Sequence, residues 1–282
     1  MSRTVLVLSA TGTTGRETVR ALVAAGATVR AATRDPAQAS FGPGVTPVAF
    51  SLDDQSTWAP ALTGVDALYF CLAPFREDEV AVGTALLAAA KAAGVTRIVK
   101  LSAMGVEHAP ESDHRQLERV IEASGFEWIH LRPTFFFENF VNFYGGSIKG
   151  DGGIYLPAGK GRTPFVAAAD IGDVAAQALL GTRSGEAWVL TGSELLDHDQ
   201  VAAILTGALG RPIHYVDIPR EAHIEGMKGY GMPPLAVTVM SGLYDMVRVD
   251  AMAHVSPTVG EVLGRPPLRF GEWARAHAAA WT

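Results

Sequence analysis

The 282-residue chain has little cysteine, no block of basic residues and no long apolar run. With Cys71 as its one cysteine, it cannot form an intrachain disulfide, and a cysteine-based metal site is disfavoured. The net charge of −6 argues against a nucleic-acid-binding surface, which needs clustered lysine and arginine. No stretch reaches the roughly 18 apolar residues of a membrane helix, and the first residues lack the apolar core of a signal peptide. These absences predict a cytoplasmic protein that binds neither nucleic acid nor membrane.

Hydrophobic residues make up 48% of the chain and charged residues 18%, which is enough for a large buried core. Over the first 130 residues, short apolar runs alternate with helical spacing. This rhythm is typical of parallel βαβ units and predicts an α/β fold with a Rossmann-type, doubly wound parallel sheet. The predicted strands are 5–8, 28–33, 45–50, 67–71, 95–101 and 128–131, and the predicted helices are 14–25, 56–62, 77–93 and 113–123.

The regular alternation of predicted strands and helices ends after Pro133. Residues 145–162 are rich in glycine and are predicted to be looped, while helices are expected at 170–180, capped by Asp170, and at 201–209. Residues 220–258 have a mostly helical pattern. We therefore expect a dinucleotide-binding domain over 1–150, to which a segment of about 163–192 returns, and a smaller, mostly helical C-terminal lobe over 193–282.

A glycine turn between the first strand and the first helix predicts a phosphate site. Backbone N–H groups at a helix N-terminus bind a pyrophosphate, and the helix dipole favours its negative charge. Gly12 lets the backbone approach the phosphates, Gly15 lets the helix pack closely, and Ser9 stands where the usual motif has its first glycine. Further hydroxyl donors are Thr11, Thr13 and Thr14. The alternative is a tight turn without a ligand.

The end of the second strand indicates which dinucleotide binds. An NAD site usually has an acidic residue there for the ribose 2′-OH, but this chain has Thr33 followed by Arg34. A guanidinium pairs well with a 2′-phosphate. The sequence thus predicts NADP(H) in preference to NAD(H), unless Arg34 only pairs with Asp35 at the surface.

The segments SATGTTGRETVRAL, VRAATRDP, GVTRIVKLSAMG, SGFEWIHLRPTFFFENF and AAADIGDVAAQAL together resemble the NmrA-like group of atypical short-chain dehydrogenase/reductases. That resemblance covers nearly the whole chain. The group includes NAD(P)H-dependent quinone and azo-dye reductases as well as non-catalytic sensors of the dinucleotide redox state. The resemblance implies cofactor contacts at further positions: Leu72, Ala73, Pro74, Ser102, Pro133, Thr134 and Phe135. Ser102 also matches the place of the short-chain enzymes' catalytic serine.

The usual Tyr-x-x-x-Lys pair of short-chain dehydrogenases is missing. Alignment of the helix places Glu111 and Arg115 at the two positions, and neither replaces a phenol activated by lysine. The resemblance implies that His114 contacts the nicotinamide ribose or donates a proton to the substrate. The alternative is an ordinary helix histidine. No histidine spacing predicts a metal site.

A mostly aromatic group follows the turn near the nicotinamide and predicts a flat, apolar substrate pocket, although any of these side chains can instead be buried core. Its members are Phe136, Phe137, Asn139, Phe140, Tyr144, Tyr155, Met227, Tyr230 and Met232. The prediction is an NADPH-dependent reductase of quinone-like or other conjugated electrophiles. Two alternatives stay open: a redox sensor without turnover, and a biosynthetic reductase of one specialised metabolite. A monomer and a homodimer are equally consistent with the sequence.

Overall fold

The computed structural model describes residues 3–282, which form nine strands and twelve α-helices. Elements are numbered in chain order. The strands are β1 (Thr4–Val7), β2 (Thr28–Thr33), β3 (Val45–Ala49), β4 (Ala67–Phe70), β5 (Arg97–Leu101), β6 (Glu127–Pro133), β7 (Gly153–Leu156), β8 (Glu186–Leu190) and β9 (His214–Asp217). The helices are α1 (Thr13–Ala24), α2 (Trp58–Leu62), α3 (Glu79–Ala92), α4 (Asp113–Ala123), α5 (Asn139–Asn142), α6 (Gly145–Gly150), α7 (Ala168–Leu180), α8 (His198–Leu209), α9 (Arg220–Gly229), α10 (Pro234–Arg248), α11 (Thr258–Leu263) and α12 (Phe270–Ala276).

The chain divides into two compact units, each made of three segments. The first consists of the chain up to Pro133, Ala168–Leu190 and Glu261–Gly264. The second consists of Thr134–Ala167, Thr191–Gly260 and Arg265–Thr282. These units differ from the predicted domains mainly in residues 134–150, which belong to the second unit.

The first unit contains a seven-stranded sheet in the order β3-β2-β1-β4-β5-β6-β8, and every neighbouring pair is parallel. The predicted Rossmann-type sheet is thereby confirmed. The strand order reverses direction between β1 and β4, and ligands of such sheets bind outside the carboxyl ends of the strands at that point. The loops after β1 and β4 therefore mark the place where a ligand is expected.

Helices α1 and α7 pack together with their backbones in close approach. A Cβ atom on Gly172 of α7 would lie 2.5 Å from the carbonyl carbon of Glu17 in α1, closer than any side chain can stand. This fixes α7 against the helix that begins at the phosphate loop. Because α7 comes from residues far along the chain, the first unit is completed only by a later segment.

Two local predictions in the middle of the chain were wrong. The glycine-rich stretch predicted as a loop contains α6 and β7, and β7 pairs in parallel with β9 to form a second, two-stranded sheet. The helix predicted to be capped by Asp170 begins two residues earlier, at Ala168, so that Asp170 lies fully buried in its first turn. Within residues 3–282, no helix combines the length and hydrophobicity needed to cross a bilayer.

Candidate functional site

The N-terminus of α1 lies directly after β1 and is open to a ligand. Gly12 is its N-cap residue, in extended conformation, and no side chain caps the helix. Thr11 and Gly12 are exposed, whereas Thr14 is 5% exposed and faces the interior. An uncapped N-terminus leaves backbone N–H groups of the first turn to bind an anion.

Ser9 shows how this loop turns without its first glycine. Its φ is +49°, in the left-handed region that glycine normally occupies. Its hydroxyl donates to the carbonyl oxygen of Cys71 at 2.9 Å, and its own carbonyl accepts from the N–H of Gly12 at 2.8 Å. The serine thus joins the phosphate loop to the end of β4, and the hydrogen bonds offset the cost of the backbone conformation.

The two glycines of the loop have different roles. A Cβ on Gly15 would lie 2.0 Å from the carbonyl oxygen of Ser9, so glycine is needed there to let the helix start against the turn. A Cβ on Gly12 would lie 3.2 Å from the same oxygen, a tight but tolerable contact. Packing therefore constrains Gly12 less than Gly15, and its absent side chain leaves exposed space beside the helix N-terminus. This geometry fits a pyrophosphate.

Alanine variants of the two glycines are expected to separate packing from binding. Gly15→Ala should lower the free energy of unfolding by about 1–3 kcal/mol, the usual cost of overpacking. Gly12→Ala should lower the melting temperature less than Gly15→Ala does but weaken NADPH binding by about tenfold, or about 1.4 kcal/mol. Thermal unfolding and fluorescence titration with NADPH measure the two effects. Unchanged NADPH affinity in Gly12→Ala would contradict a pyrophosphate site at this loop.

Arg34, directly after β2, is exposed and makes no hydrogen bond or ion pair with any residue of 3–282. Asp35, its predicted surface partner, instead accepts from the backbone N–H of Ala37 at 3.0 Å and of Gln38 at 3.3 Å. The guanidinium therefore stands unneutralised at the carboxyl end of β2.

The loop after β4 contains the predicted cofactor residues Leu72, Ala73 and Pro74; Leu72 is partly buried and the other two are exposed. Further along it, Arg76 pairs with Asp53 at 2.9 Å and with Asp78 at 2.8 Å. A groove of about 410 Å³ borders this ion-pair cluster. Its lining residues are Leu52, Asp53, Gln55, Arg76, Asp78, Ala81, Val82 and Ala85.

His114 lies in the first turn of α4, which begins after Ser112, whose hydroxyl accepts from the N–H of Arg115. Its Nδ1 is 3.0 Å from Nζ of Lys100 at the end of β5, and 3.6 Å from a carboxylate oxygen of Glu79 in the first turn of α3. Sequence reasoning missed Lys100 and Glu79. The available signal was a lysine within the run 98–101, whose other residues are apolar and which periodicity treats as core.

Burial governs the protonation of this cluster. Partial removal of the ring from water, followed by the nearby Lys100 ammonium, lowers the pKa of His114 below its usual range. Burial also lowers the pKa of Lys100 to about 8, although Glu79 and Glu118 oppose the shift. Burial raises the pKa of Glu79. His114 is consequently neutral near pH 7.

Arg132 of β6 and Arg115 of α4 surround a fully buried carboxylate. Glu118 is 0% exposed and accepts from Arg132 at 3.0 and 2.7 Å and from Arg115 at 3.0 Å. Burial alone would raise the pKa of Glu118, but the hydrogen bonds from Arg132 and the positive charge of its guanidinium, together with smaller contributions from other neighbours, hold the pKa at about 2. Arg115, which stands at one position of the missing Tyr-x-x-x-Lys pair, is thus held in an ion pair. Glu111, at the other position, is exposed.

Glu118, Glu122 and His130 bring their ligand atoms within 4.8 Å of one another, a spacing that a metal ion could accept. Both carboxylates, however, already pair with Arg115, and Glu118 also with Arg132. Two guanidinium groups at the same oxygens disfavour a cation. The buried His130 ring stacks on Trp128, with the ring centroids 4.4 Å apart. The cluster is therefore explained by internal ion pairing.

Other predicted cofactor residues lie at the ends of β5 and β6. Ser102 follows β5; it is 5% exposed, and its hydroxyl has no hydrogen-bond partner within residues 3–282. Pro133 ends β6 and accepts from the N–H of Met104 at 3.0 Å. In the second unit, the Thr134 hydroxyl is also buried without a partner among the described residues, and Phe135 is partly buried.

The predicted substrate residues all belong to the second unit but differ in exposure. Phe137 (2% exposed) and Phe140 (0%) pack edge-on against Phe270, with ring centroids 5.1 and 5.3 Å away, and present no surface to a ligand in this arrangement. Met227 is also buried, and Tyr230 is 92% exposed. The remaining predicted residues, Phe136, Asn139, Tyr144, Tyr155 and Met232, are partly buried.

Comparisons with known proteins agree with this fold and identify the family. The chain is 38% identical to an NAD(P)H azoreductase of Xenophilus azovorans over 98% of this chain and 99% of that protein. It is 33% identical to a (4-alkanoyl-5-oxo-2,5-dihydrofuran-3-yl)methyl phosphate reductase of Streptomyces griseus, again over 98% and 99% of the two chains.

Among solved structures, triphenylmethane reductase of Citrobacter sp., complexed with NADP(H), superposes with a TM-score of 0.83. The match covers 99% of this chain and 100% of that one at 21% identity, which establishes a shared fold. The NmrA-like family model matches residues 1–261. With that match over most of its length and two reductases above 30% identity over whole chains, the protein belongs to the NmrA-like family.

Proposed function

We propose that this protein is an NADPH-dependent reductase that transfers hydride to quinone-like, azo or other conjugated electrophiles. The observation that carries the proposal is the 38% identity, over whole chains, to an NAD(P)H azoreductase. The second relative, a reductase of an oxo-dihydrofuran compound, widens the acceptors to other conjugated molecules.

The cofactor assignment is supported by the geometry of the first unit. The uncapped start of α1 and the space at Gly12 fit a pyrophosphate, and the unneutralised Arg34 favours the 2′-phosphate of NADP(H) over NAD(H). When bound, the reduced nicotinamide supplies the hydride. The protein's part is to hold the dinucleotide, to receive a flat acceptor and to deliver a proton.

The missing Tyr-x-x-x-Lys pair restricts the proposed acceptors. A simple ketone needs strong acid catalysis at its oxygen as hydride arrives. A quinone or an azo compound spreads the resulting negative charge over a conjugated system and therefore needs less acid catalysis. Conjugated acceptors are thus the substrates that this chain can reduce with the groups it has.

Turnover tests the proposal directly. Purified protein is titrated with NADPH, and the loss of NADPH absorbance is then followed after addition of a small quinone, an azo dye or, as a matched control, a saturated ketone. We expect oxidation of NADPH with the conjugated acceptors and none with the ketone. Tight NADPH binding without oxidation by any acceptor would overturn the reductase and favour the redox sensor.

A further inference from the structure

Lys100 occupies a position that normally belongs to an apolar residue. It lies in β5, in the middle of the sheet, and is 2% exposed. Its ammonium donates to the carbonyl oxygen of Leu101 at 3.1 Å and to Nδ1 of His114 at 3.0 Å. Lysine is almost never fully buried unless it is paired, because desolvating the charge is costly. An apolar residue would serve packing better, so the pairing with His114 needs another explanation.

The contact with Lys100 fixes the tautomer of His114. A lysine ammonium has only donors, so Nδ1 must accept, and the proton of the neutral ring is on Nε2. No residue of 3–282 forms a hydrogen bond with Nε2, and the side chain is 41% exposed. His114 therefore directs its Nε2–H donor away from the cluster, while its Nδ1 faces the ammonium group of Lys100.

On this geometry, and resting on the proposed reductase function, we propose that Lys100 and His114 form a proton relay that replaces the missing tyrosine–lysine pair. After hydride reaches the acceptor, the negatively charged oxygen or nitrogen of the acceptor takes the proton from Nε2 of His114. The electron pair on Nδ1 takes a proton from the Lys100 ammonium in the same step. The imidazole is neutral before and after but now carries its proton on Nδ1, and Lys100 is an amine. Because Lys100 is 2% exposed and the His114 side chain is 41% exposed, solvent then protonates Nε2, and Nδ1 returns its proton to Lys100, which restores the starting state.

The charges around Lys100 suit this role. Carboxylates nearby raise the pKa of Lys100 and burial lowers it, so that the group holds a proton near pH 7 but releases it more readily than an exposed lysine. The titratable and charged groups that face it are Cys71 after β4, Glu79 of α3, His114 and Glu118 of α4, and His130 and Arg132 of β6. Lys100 acts through His114 and is thus a positioning residue as well as the proton store.

The tautomer is measured without turnover. In protein with ¹⁵N-labelled histidine, His114→Gln assigns the signal, and we expect a proton on Nε2 and none on Nδ1 at pH 7. Lys100→Met should shift the ring toward a mixture of tautomers. Lys100→Met alone leaves the buried Glu79 carboxylate without its lysine neighbour and could destabilise the fold. The double variant Lys100→Met with Glu79→Gln removes that carboxylate as well and therefore serves as a second test. Lys91→Met, which changes an exposed lysine of α3, should leave the signal unchanged.

Steady-state kinetics with NADPH and a quinone complete the test. Lys100→Met and His114→Gln should lower kcat by about 100-fold with little change in NADPH affinity. In the wild type, kcat should fall as pH rises above about 8, where Lys100 loses its proton, and this limb should be absent from Lys100→Met. A proton on Nδ1 of His114, or a Lys100→Met variant with wild-type kcat and pH profile, overturns the relay alone. A wild type that reduces no acceptor overturns the proposed function and the relay with it.

Discussion

Arg34→Ala is expected to weaken NADPH binding by about 10- to 100-fold and to leave NADH binding unchanged. A charge-assisted hydrogen bond contributes about 1.5–3 kcal/mol, and each 1.4 kcal/mol is a factor of ten in affinity. The loss is confined to NADPH because only its 2′-phosphate needs the guanidinium. Arg34 is exposed and unpaired within the described part of the chain, so its removal breaks no internal contact.

Fluorescence titration with both dinucleotides at a fixed salt concentration measures this change. Arg119→Ala is the matched control, since it removes the same charge from another exposed position, and it should leave both affinities unchanged. Arg34→Lys should recover part of the NADPH affinity, because lysine keeps the charge but lacks the planar fork. Equal weakening of NADPH and NADH in Arg34→Ala would contradict recognition of the 2′-phosphate.

Glu118→Gln is expected to lower the free energy of unfolding by about 3–5 kcal/mol, the cost of breaking a buried ion pair from one side. The carboxylate is 0% exposed and receives both arms of Arg132, whose side chain is 11% exposed and would keep only Glu107 as a charged partner. Denaturant unfolding at pH 7 measures the loss. Glu225→Gln, which breaks an exposed pair with Lys228, should cost no more than about 1 kcal/mol.

The same carboxylate gives a pH dependence with a defined sign. The pKa of Glu118 is lowered from 4.5 to about 2 in the folded protein, so its contribution to stability is complete above pH 4.5 and is lost as pH falls toward 2. The wild type should lose stability through that range more steeply than Glu118→Gln. Parallel acid unfolding curves for the two proteins would show that Glu118 is not the group responsible.

The local sequence pattern was enough to predict many of the strands and helices of the first unit. Strand β2 and helix α4 have the predicted bounds, because short apolar runs, glycine ends and Ser112 as a cap are all properties of neighbouring residues. Strand β7 was missed because its glycine-rich sequence favours a loop. What makes it a strand is pairing with β9, from Gly153 opposite His214 to Leu156 opposite Asp217, and that partner is distant in sequence.

The turn between β1 and α1 could likewise be predicted, since its glycines and threonines are contiguous, and phosphate binding at that turn stays a prediction. The environment of His114 could not, because Lys100 comes from another strand and Glu79 from another helix, and only the fold brings them together. The lowered pKa of this imidazole depends on burial and on an ammonium group, and neither can be read from neighbouring residues. Similarly, spacing alone did not distinguish the buried Phe137 and Phe140 from exposed Tyr230.

The late return of the chain to the first unit has a consequence for biosynthesis. In the part of the chain that the structure describes, β8 pairs with β6 on the side away from β5, and α7 packs on α1, yet both come from Ala168–Leu190. During translation, a nascent chain ending near Pro133 therefore exposes β6 as an open edge, which is a template for aggregation until β8 has left the ribosome. A ribosome-bound chaperone, or rapid translation of the segment between β6 and β8, would protect the protein most during that interval.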